Sequence, residues 1–302
     1  MKFTICQKQF QELSGNNCHY GCITGVQEKD EKEKRRFSWV YDCGHKDFNR
    51  QIPDNGKVDL IVLSHFDADH VGGAYDLIQR NKGAMCIAPY LDEDMRILIL
   101  SENSESYIQS DIDIQFIERL FRQGADDNFI FIRDEEHDLK KIKDRVTTKL
   151  QSDFWTFYPL QYQDPSLKQY QYVCNGIKNK FGSLTNILKG LSNNRTAFSK
   201  QLYNEYKKLI LQAFPKKKQI SVTANSISVC LYSGPTNSFN YQPVGWLHTG
   251  DTNLKNKSWF NTFKSRLLNI KTISELFLYR IMAQKVVIIP LCFKNGRSLF
   301  MC

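Results

Sequence analysis

The sequence has 302 residues, 41% hydrophobic and 24% charged, which is enough apolar material to bury a large core. This composition excludes a wholly disordered chain, and no apolar run approaches the length of a membrane span, about 18 residues. The chain start lacks the apolar core of a signal peptide, so we expect a soluble, cytoplasmic protein with no membrane partner. The net charge of +9 suits an anionic substrate, nucleic acid included, although lysines on solvated helices give the same total.

The predicted strands are short runs rich in apolar, aromatic and β-branched residues. They lie at 2–10, 37–42, 59–64, 85–89, 129–133, 227–232, 244–248 and 285–291. A turn is predicted around Gly15 to Gly21, and a polar loop is predicted at 65–73.

The predicted helices follow from apolar residues at three- and four-residue spacing. They lie at 74–80, 92–123 with a break near 101–106, 134–149, 161–214 and 259–280. Strands at both ends with helices between them indicate a layered α/β protein, with a mainly helical insertion at about 92–214.

The nine cysteines are odd in number and irregular in spacing. In a chain without an export signal, this pattern favours reduced thiols over a disulfide framework. Cys18 and Cys22 lie close together, but no second cysteine pair stands at zinc-ribbon spacing. We therefore expect buried or incidental thiols rather than a structural zinc at this pair.

The strongest chemical signal is the segment HFDADHVGG at 65–73, directly after a predicted buried strand. Carboxylate oxygens together with imidazole nitrogens suit Zn²⁺, Mn²⁺ or Fe²⁺ better than Ca²⁺. A solvated acidic loop is the alternative, but four ligand-type side chains at the end of an apolar strand favour a metal site. These side chains are His65, Asp67, Asp69 and His70.

Two further predicted strand ends carry aspartates. Gly250 precedes Asp251 after the strand at 244–248, and a carboxylate there could bridge two cations with its two oxygens. Alone, a Gly-Asp pair is usually only a turn. Asp42 ends the strand at 37–42 and could hold a ligating histidine by its free ring N–H, with a simple turn as the alternative.

Three patches resemble the metallo-β-lactamase superfamily in their order, 41–45 with DCG, 58–73 with HFDADHVGG and 244–252 with TGD. Asp67 stands where many members have histidine, which is similar to the branch that includes the hydrolase domain of bacterial DNA-uptake channels and related phage-defence proteins. The resemblance implies a single domain built as a four-layer αββα sandwich, with the metals at one edge of the two sheets.

The resemblance also implies a role for each matched residue. His65 and Asp67 would bind a first metal ion, Asp69 and His70 would bind a second, and Asp251 would bridge them. A water between the ions would be the nucleophile. Asp69 would also orient that water or accept its proton, which makes it the predicted catalytic residue.

Two features depart from the family pattern. Many members carry a metal-binding histidine between the first motif and the Gly-Asp pair. Here that interval holds only His137, expected at the surface, and His248, expected to support the ligands beside Asp251. The branch usually follows its last strand with Pro-His-His-Gly-Ser, whereas this chain has IIPLCFKNGRSLFMC, so a truncated or altered end is expected. We therefore expect one or two ions, Zn²⁺ foremost, with Mn²⁺ or Fe²⁺ as alternatives.

Three functions remain open from the sequence. A metal-dependent hydrolase of a phosphodiester or other ester is favoured, with an anionic small molecule or nucleic acid as substrate. A thioesterase or lactonase acting on a small molecule is the second, because fold does not fix substrate. A degenerate, non-catalytic metal-binding or regulatory protein is the third, which the altered chain end favours.

Overall fold

The computed structural model describes residues 2–11, 17–26, 33–44, 50–124, 128–133, 136–163, 169–215, 227–236 and 246–250, together with 261, 265 and 266. Within these ranges, strands and helices combine into a mixed α/β fold with two sheets. The predicted strand at 285–291 lies outside the described residues, as does most of the predicted helix at 259–280.

Among the described residues, the first sheet has six strands in sequence order. The first, second and third strands pair antiparallel. The third, fourth, fifth and sixth strands pair parallel. The strands are β1 (Lys2–Gln11), β2 (Asn17–Val26), β3 (Glu33–Cys43), β4 (Leu60–Val62), β5 (Met85–Pro89) and β6 (Phe129–Ile132). Parallel strands deliver their carboxyl ends to one edge, so the residues after β3 and β4 meet there.

The second sheet contains three antiparallel strands, β7 (Trp155–Gln163), β8 (Ile227–Pro235) and β9 (Trp246–His248), in that order. The sequence patterns did not predict β7, which lies inside the region expected to be mainly helical. Pro159 interrupts its apolar pattern, but β7 is at an edge of this sheet among the described residues, and a missing backbone N–H is tolerated at an edge.

Alternate side chains of the first sheet point to its two faces and pack into two hydrophobic cores. On one face, Trp39, Val62 and Ile87 pack with Val229 and Leu231 of the second sheet. On the other face, alternate residues such as Val40, Ile61 and Cys86 pack with the helices. The described residues therefore confirm a mixed α/β architecture, whereas the four-layer αββα sandwich stays a prediction.

The helix at Glu136–Leu150 places Ile142, Val146 and Leu150 in the core between the two sheets, whereas most of the other described helices line the helix-facing core. Nine helices are described. They are α1 (Pro53–Gly56), α2 (Ala68–Val71), α3 (Ala74–Arg80), α4 (Glu93–Gln109), α5 (Ile114–Arg122), α6 (Glu136–Leu150), α7 (Gln171–Phe181), α8 (Leu184–Asn193) and α9 (Arg195–Ala213). In the part of the chain that the structure describes, no helix combines the length and apolarity needed to cross a membrane.

The predicted break at 101–106 is wrong, because α4 continues through those residues. The hydroxyl of Ser101 donates to Ile97 O at 2.7 Å and that of Ser104 donates to Ser101 O at 3.0 Å, so these serines are satisfied inside the helix. The helix ends at Gln109 instead, and Asp113 caps the next helix by accepting from Phe116 N at 3.1 Å.

Strand β2 replaces most of the turn predicted around Gly15 to Gly21. Its glycine has a packing reason: a Cβ at Gly21 would lie 2.1 Å from the ring of Trp39 on the neighbouring strand. The indole therefore occupies the space above the glycine. The residues that predicted a turn therefore belong to a strand, in which Gly21 leaves space for the side chain of Trp39.

Candidate metal centre

The site begins where β3 and β4 end side by side. Asp42 adopts a left-handed backbone conformation with φ of 56°, which Asp tolerates better than most residues. Ser64 and His65 follow β4. Farther along the loop, Gly73 N donates to Gly44 O at 2.8 Å and holds the start of α3 against the end of β3. The backbone therefore fixes both ends of the HFDADHVGG loop.

Asp42 is the organising carboxylate of this edge, with only 1% of its surface exposed. Its Oδ1 accepts from Ser64 N at 2.7 Å, and its Oδ2 accepts from Ser64 Oγ at 2.8 Å and from His70 Nδ1 at 3.0 Å. Burial alone would raise the pKa of Asp42. Its interactions with His70, His65 and Ser64 outweigh burial and hold that pKa below its usual value, so the group is an anion.

This network fixes the tautomers of two histidines. Because the Ser64 hydroxyl donates to Asp42, it accepts from Nδ1 of His65, 2.8 Å away. The carboxylate of Asp42 can only accept, so Nδ1 of His70 carries its proton as well. In both rings, Nδ1 therefore carries the hydrogen and donates it to a protein group, and Nε2 keeps its lone pair. Metal-binding histidines have this arrangement.

Each Nε2 atom lies near a carboxylate of the same loop. His65 Nε2 is 3.8 Å from Asp67 Oδ2, and His70 Nε2 is 3.8 Å from Asp69 Oδ2. These separations are too long for hydrogen bonds and are somewhat wider than the roughly 3.4 Å between two ligands of a tetrahedral zinc ion. Each pair would therefore have to close slightly to bind one ion. Asp69 is on the exposed side of the site, with 53% of its side chain accessible, whereas both histidines are buried.

Helix α4 supports the loop from the other side. Asn103 Nδ2 donates to Asp67 Oδ1 at 3.1 Å, and one turn later Tyr107 donates its hydroxyl to Phe66 O. Burial, followed by the charges of Glu102 and Asp69, raises the pKa of Asp67 to about 7. A carboxylate in this setting is stabilised as an anion by a nearby cation.

The second predicted strand end meets the first. Gly250 has φ of 54°, and a Cβ there would lie 2.5 Å from Ser228 Oγ and 2.9 Å from Ser64 Cβ. Only glycine fits this close approach of backbone to side chain. Asp251, the predicted bridging ligand, lies outside the described residues.

His248, at the end of β9, packs against residues of β2 and β3. Its ring stacks on Tyr41, with centroids 4.7 Å apart, and packs against His19 at 4.8 Å. Sequence reasoning missed His19 because it is a lone histidine in a segment predicted as a turn. It also missed Ser64, Asn103 and Tyr107, whose roles depend on contacts between distant parts of the chain.

The four predicted ligands of the loop form two imidazole–carboxylate pairs. Across the described ranges, no group of three or more His, Cys, Asp or Glu side chains is arranged to hold a metal ion. The donor chemistry nevertheless fits a divalent cation, because two oriented imidazoles and two carboxylates converge on one strand edge. His137 lies apart from them, exposed on α6.

Residues 40–131 match the metallo-beta-lactamase superfamily. The matched segment runs from β3 to β6, covers less than half of the chain, and contains both the Asp42 network and the HFDADHVGG loop. No curated protein and no solved structure gives a significant match. The superfamily match makes a metal-dependent hydrolase plausible, while the resemblance to the DNA-uptake branch stays a prediction.

Proposed function

We propose that this protein is a metal-dependent hydrolase that uses a metal-activated water to attack a phosphodiester or another ester. One observation carries the proposal: the Asp42–Ser64 network orients both His65 and His70 so that their Nε2 atoms are available as ligands. An acidic surface loop has no need of a buried carboxylate that fixes two imidazole tautomers.

The cation or cations would be held by the four loop residues His65, Asp67, Asp69 and His70. Asp251 would be a further ligand that bridges two cations. A bound Zn²⁺, Mn²⁺ or Fe²⁺ would supply Lewis acidity and lower the pKa of a water molecule. Asp69 is the accessible carboxylate of the set, so it would orient the attacking water or accept its proton. Asn103 would keep Asp67 in position by its hydrogen bond.

The substrate is proposed to be anionic. The net charge of +9 favours approach of a phosphodiester, a nucleic acid or a nucleotide over a neutral ester. A non-catalytic metal-binding role is the second candidate, because the loop ligands stand in pairs rather than in one group of three or more within the described ranges.

The test combines metal content with turnover. Purified full-length protein is loaded with Zn²⁺ or Mn²⁺, its metal is counted by elemental analysis, and hydrolysis of bis(p-nitrophenyl) phosphate and single-stranded DNA is followed. We expect His65→Ala and Asp69→Asn to lose metal or turnover, and His137→Ala, on the exposed face of α6, to keep both. Metal bound without any turnover would favour the non-catalytic role. Unchanged metal content and turnover in both site variants would refute the site.

A further inference from the structure

A buried pair of imidazoles lies beside the centre described above. His19 of β2 and His248 of β9 are 7% and 4% exposed, and their ring centres are 4.8 Å apart with planes at 52°. The two residues come from different sheets, and His248 also stacks on Tyr41. The fold therefore brings together two histidines that are far apart in the sequence and belong to neither imidazole–carboxylate pair of the loop.

Both imidazoles are neutral at physiological pH. Burial lowers the pKa of His19 to about 4 and that of His248 well below its usual value. The negative charge of Asp42 acts on both rings in the opposite direction, which places the pair within electrostatic reach of that carboxylate. A neutral imidazole can bind a cation without first losing a proton.

Packing alone does not account for His19. Its Nδ1 is buried and has no hydrogen-bond partner among the described residues, which is unfavourable for a polar atom removed from water. A phenylalanine would fill the same layer without that loss. In contrast, two imidazoles bound to one Zn²⁺ have ring centres about 5 Å apart, close to the observed spacing.

We propose that His19 and His248 form a second cation site, of the bis-imidazole type. It would take a borderline transition-metal ion such as Zn²⁺, Co²⁺, Ni²⁺ or Cu²⁺, rather than Mg²⁺ or Ca²⁺, which prefer oxygen ligands. Asp42 supplies the nearby negative charge. This site does not depend on hydrolytic activity or on the ligands of the HFDADHVGG loop.

The experiment is a Co²⁺ titration of the full-length, metal-free protein, followed by visible absorption and by equilibrium dialysis. We compare the wild type with His19→Phe, with the milder His19→Asn, and with the exposed control His137→Phe. Both His19 variants should bind one equivalent less than the wild type, or bind that equivalent at least tenfold more weakly, with a changed Co²⁺ spectrum. The control should match the wild type.

A second comparison separates this site from the hydrolytic centre. The double variant His65→Ala/His70→Ala should retain the equivalent that His19→Phe loses, even if the hydrolase proposal fails. In the absence of metal, His19→Phe should melt no lower than the wild type, and added Zn²⁺ should raise its Tm less. Equal Co²⁺ binding with an identical spectrum in wild type and both His19 variants would overturn the proposal and leave His19 as a packing residue.

Discussion

Ser64 is bonded twice to Asp42, through its backbone nitrogen at 2.7 Å and its hydroxyl at 2.8 Å. The same serine contacts His65 through its hydroxyl and accepts from Val229 N at 2.7 Å through its carbonyl. One small residue thereby joins the end of β3, the loop after β4 and the second sheet.

Replacing Ser64 by alanine removes the hydroxyl that lies between Asp42 and His65. Nδ1–H of His65 would lose its acceptor in a buried site, so we expect a loss of about 1–3 kcal/mol in the free energy of unfolding. Metal affinity should fall about 10- to 100-fold, because the ring loses its orientation. Urea unfolding and metal dialysis measure both effects. Ser101→Ala, whose hydroxyl bonds only within α4, is the matched control for metal affinity and should leave it unchanged.

Asp42→Asn keeps the shape of the side chain but removes its charge. His70 Nδ1 then faces an amide rather than a carboxylate, so we expect metal affinity to drop about 10- to 100-fold. Isothermal titration with Zn²⁺ is the direct measurement. Should Asp42→Asn bind Zn²⁺ as tightly as the wild type, the carboxylate has only a structural role.

Gly250→Ala tests the close approach of the two strand ends. The new Cβ would fall 2.9 Å from Ser64 Cβ, at a φ that disfavours side chains, so we expect destabilisation of about 1–3 kcal/mol. Gly83→Ala is the control, because a Cβ there meets nothing within 4 Å. Thermal unfolding of the two variants should differ clearly. Similar Tm values would mean that the strand ends are farther apart than described.

A pH effect is expected from Asp94 of α4 and Lys178 of α7, which form an ion pair across two helices. Burial acts to raise the pKa of Asp94, but hydrogen bonds from Lys178 and Gln171 outweigh it and hold that pKa below its usual value. The stabilisation is therefore present above the unfolded pKa of about 4 and is lost as the pH falls through the folded pKa.

Asp94→Asn should accordingly lower the free energy of unfolding by less than about 1 kcal/mol at pH 7, since the side chains of Asp94 and Lys178 are both partly exposed. The loss of unfolding free energy should be smaller at pH 3 than at pH 7, because pH 3 lies below the unfolded pKa of about 4. Urea unfolding of both proteins at the two pH values measures it. A difference that stays constant between pH 7 and pH 3 would show that the charge of Asp94 contributes nothing.

The four predicted ligands of the loop could be selected from the sequence because they are neighbours in the chain and follow an apolar strand, and their metal binding stays a prediction. The sequence could not reveal Asn103 or Tyr107, which reach the loop only because α4 packs across it. His19 was hidden in the same way, since its partner His248 belongs to another sheet. Strand β7 was missed because a proline inside a strand is informative only once the strand is known to lie at an edge.

The bond from Val229 N to Ser64 O has a consequence for biosynthesis. It ties the loop after β4 to a strand that leaves the ribosome much later, so the loop reaches its final shape only when β8 has docked. During translation, we expect the nascent chain to carry all four predicted loop ligands for some time without high affinity for metal. Metal uptake would then mark the completion of folding.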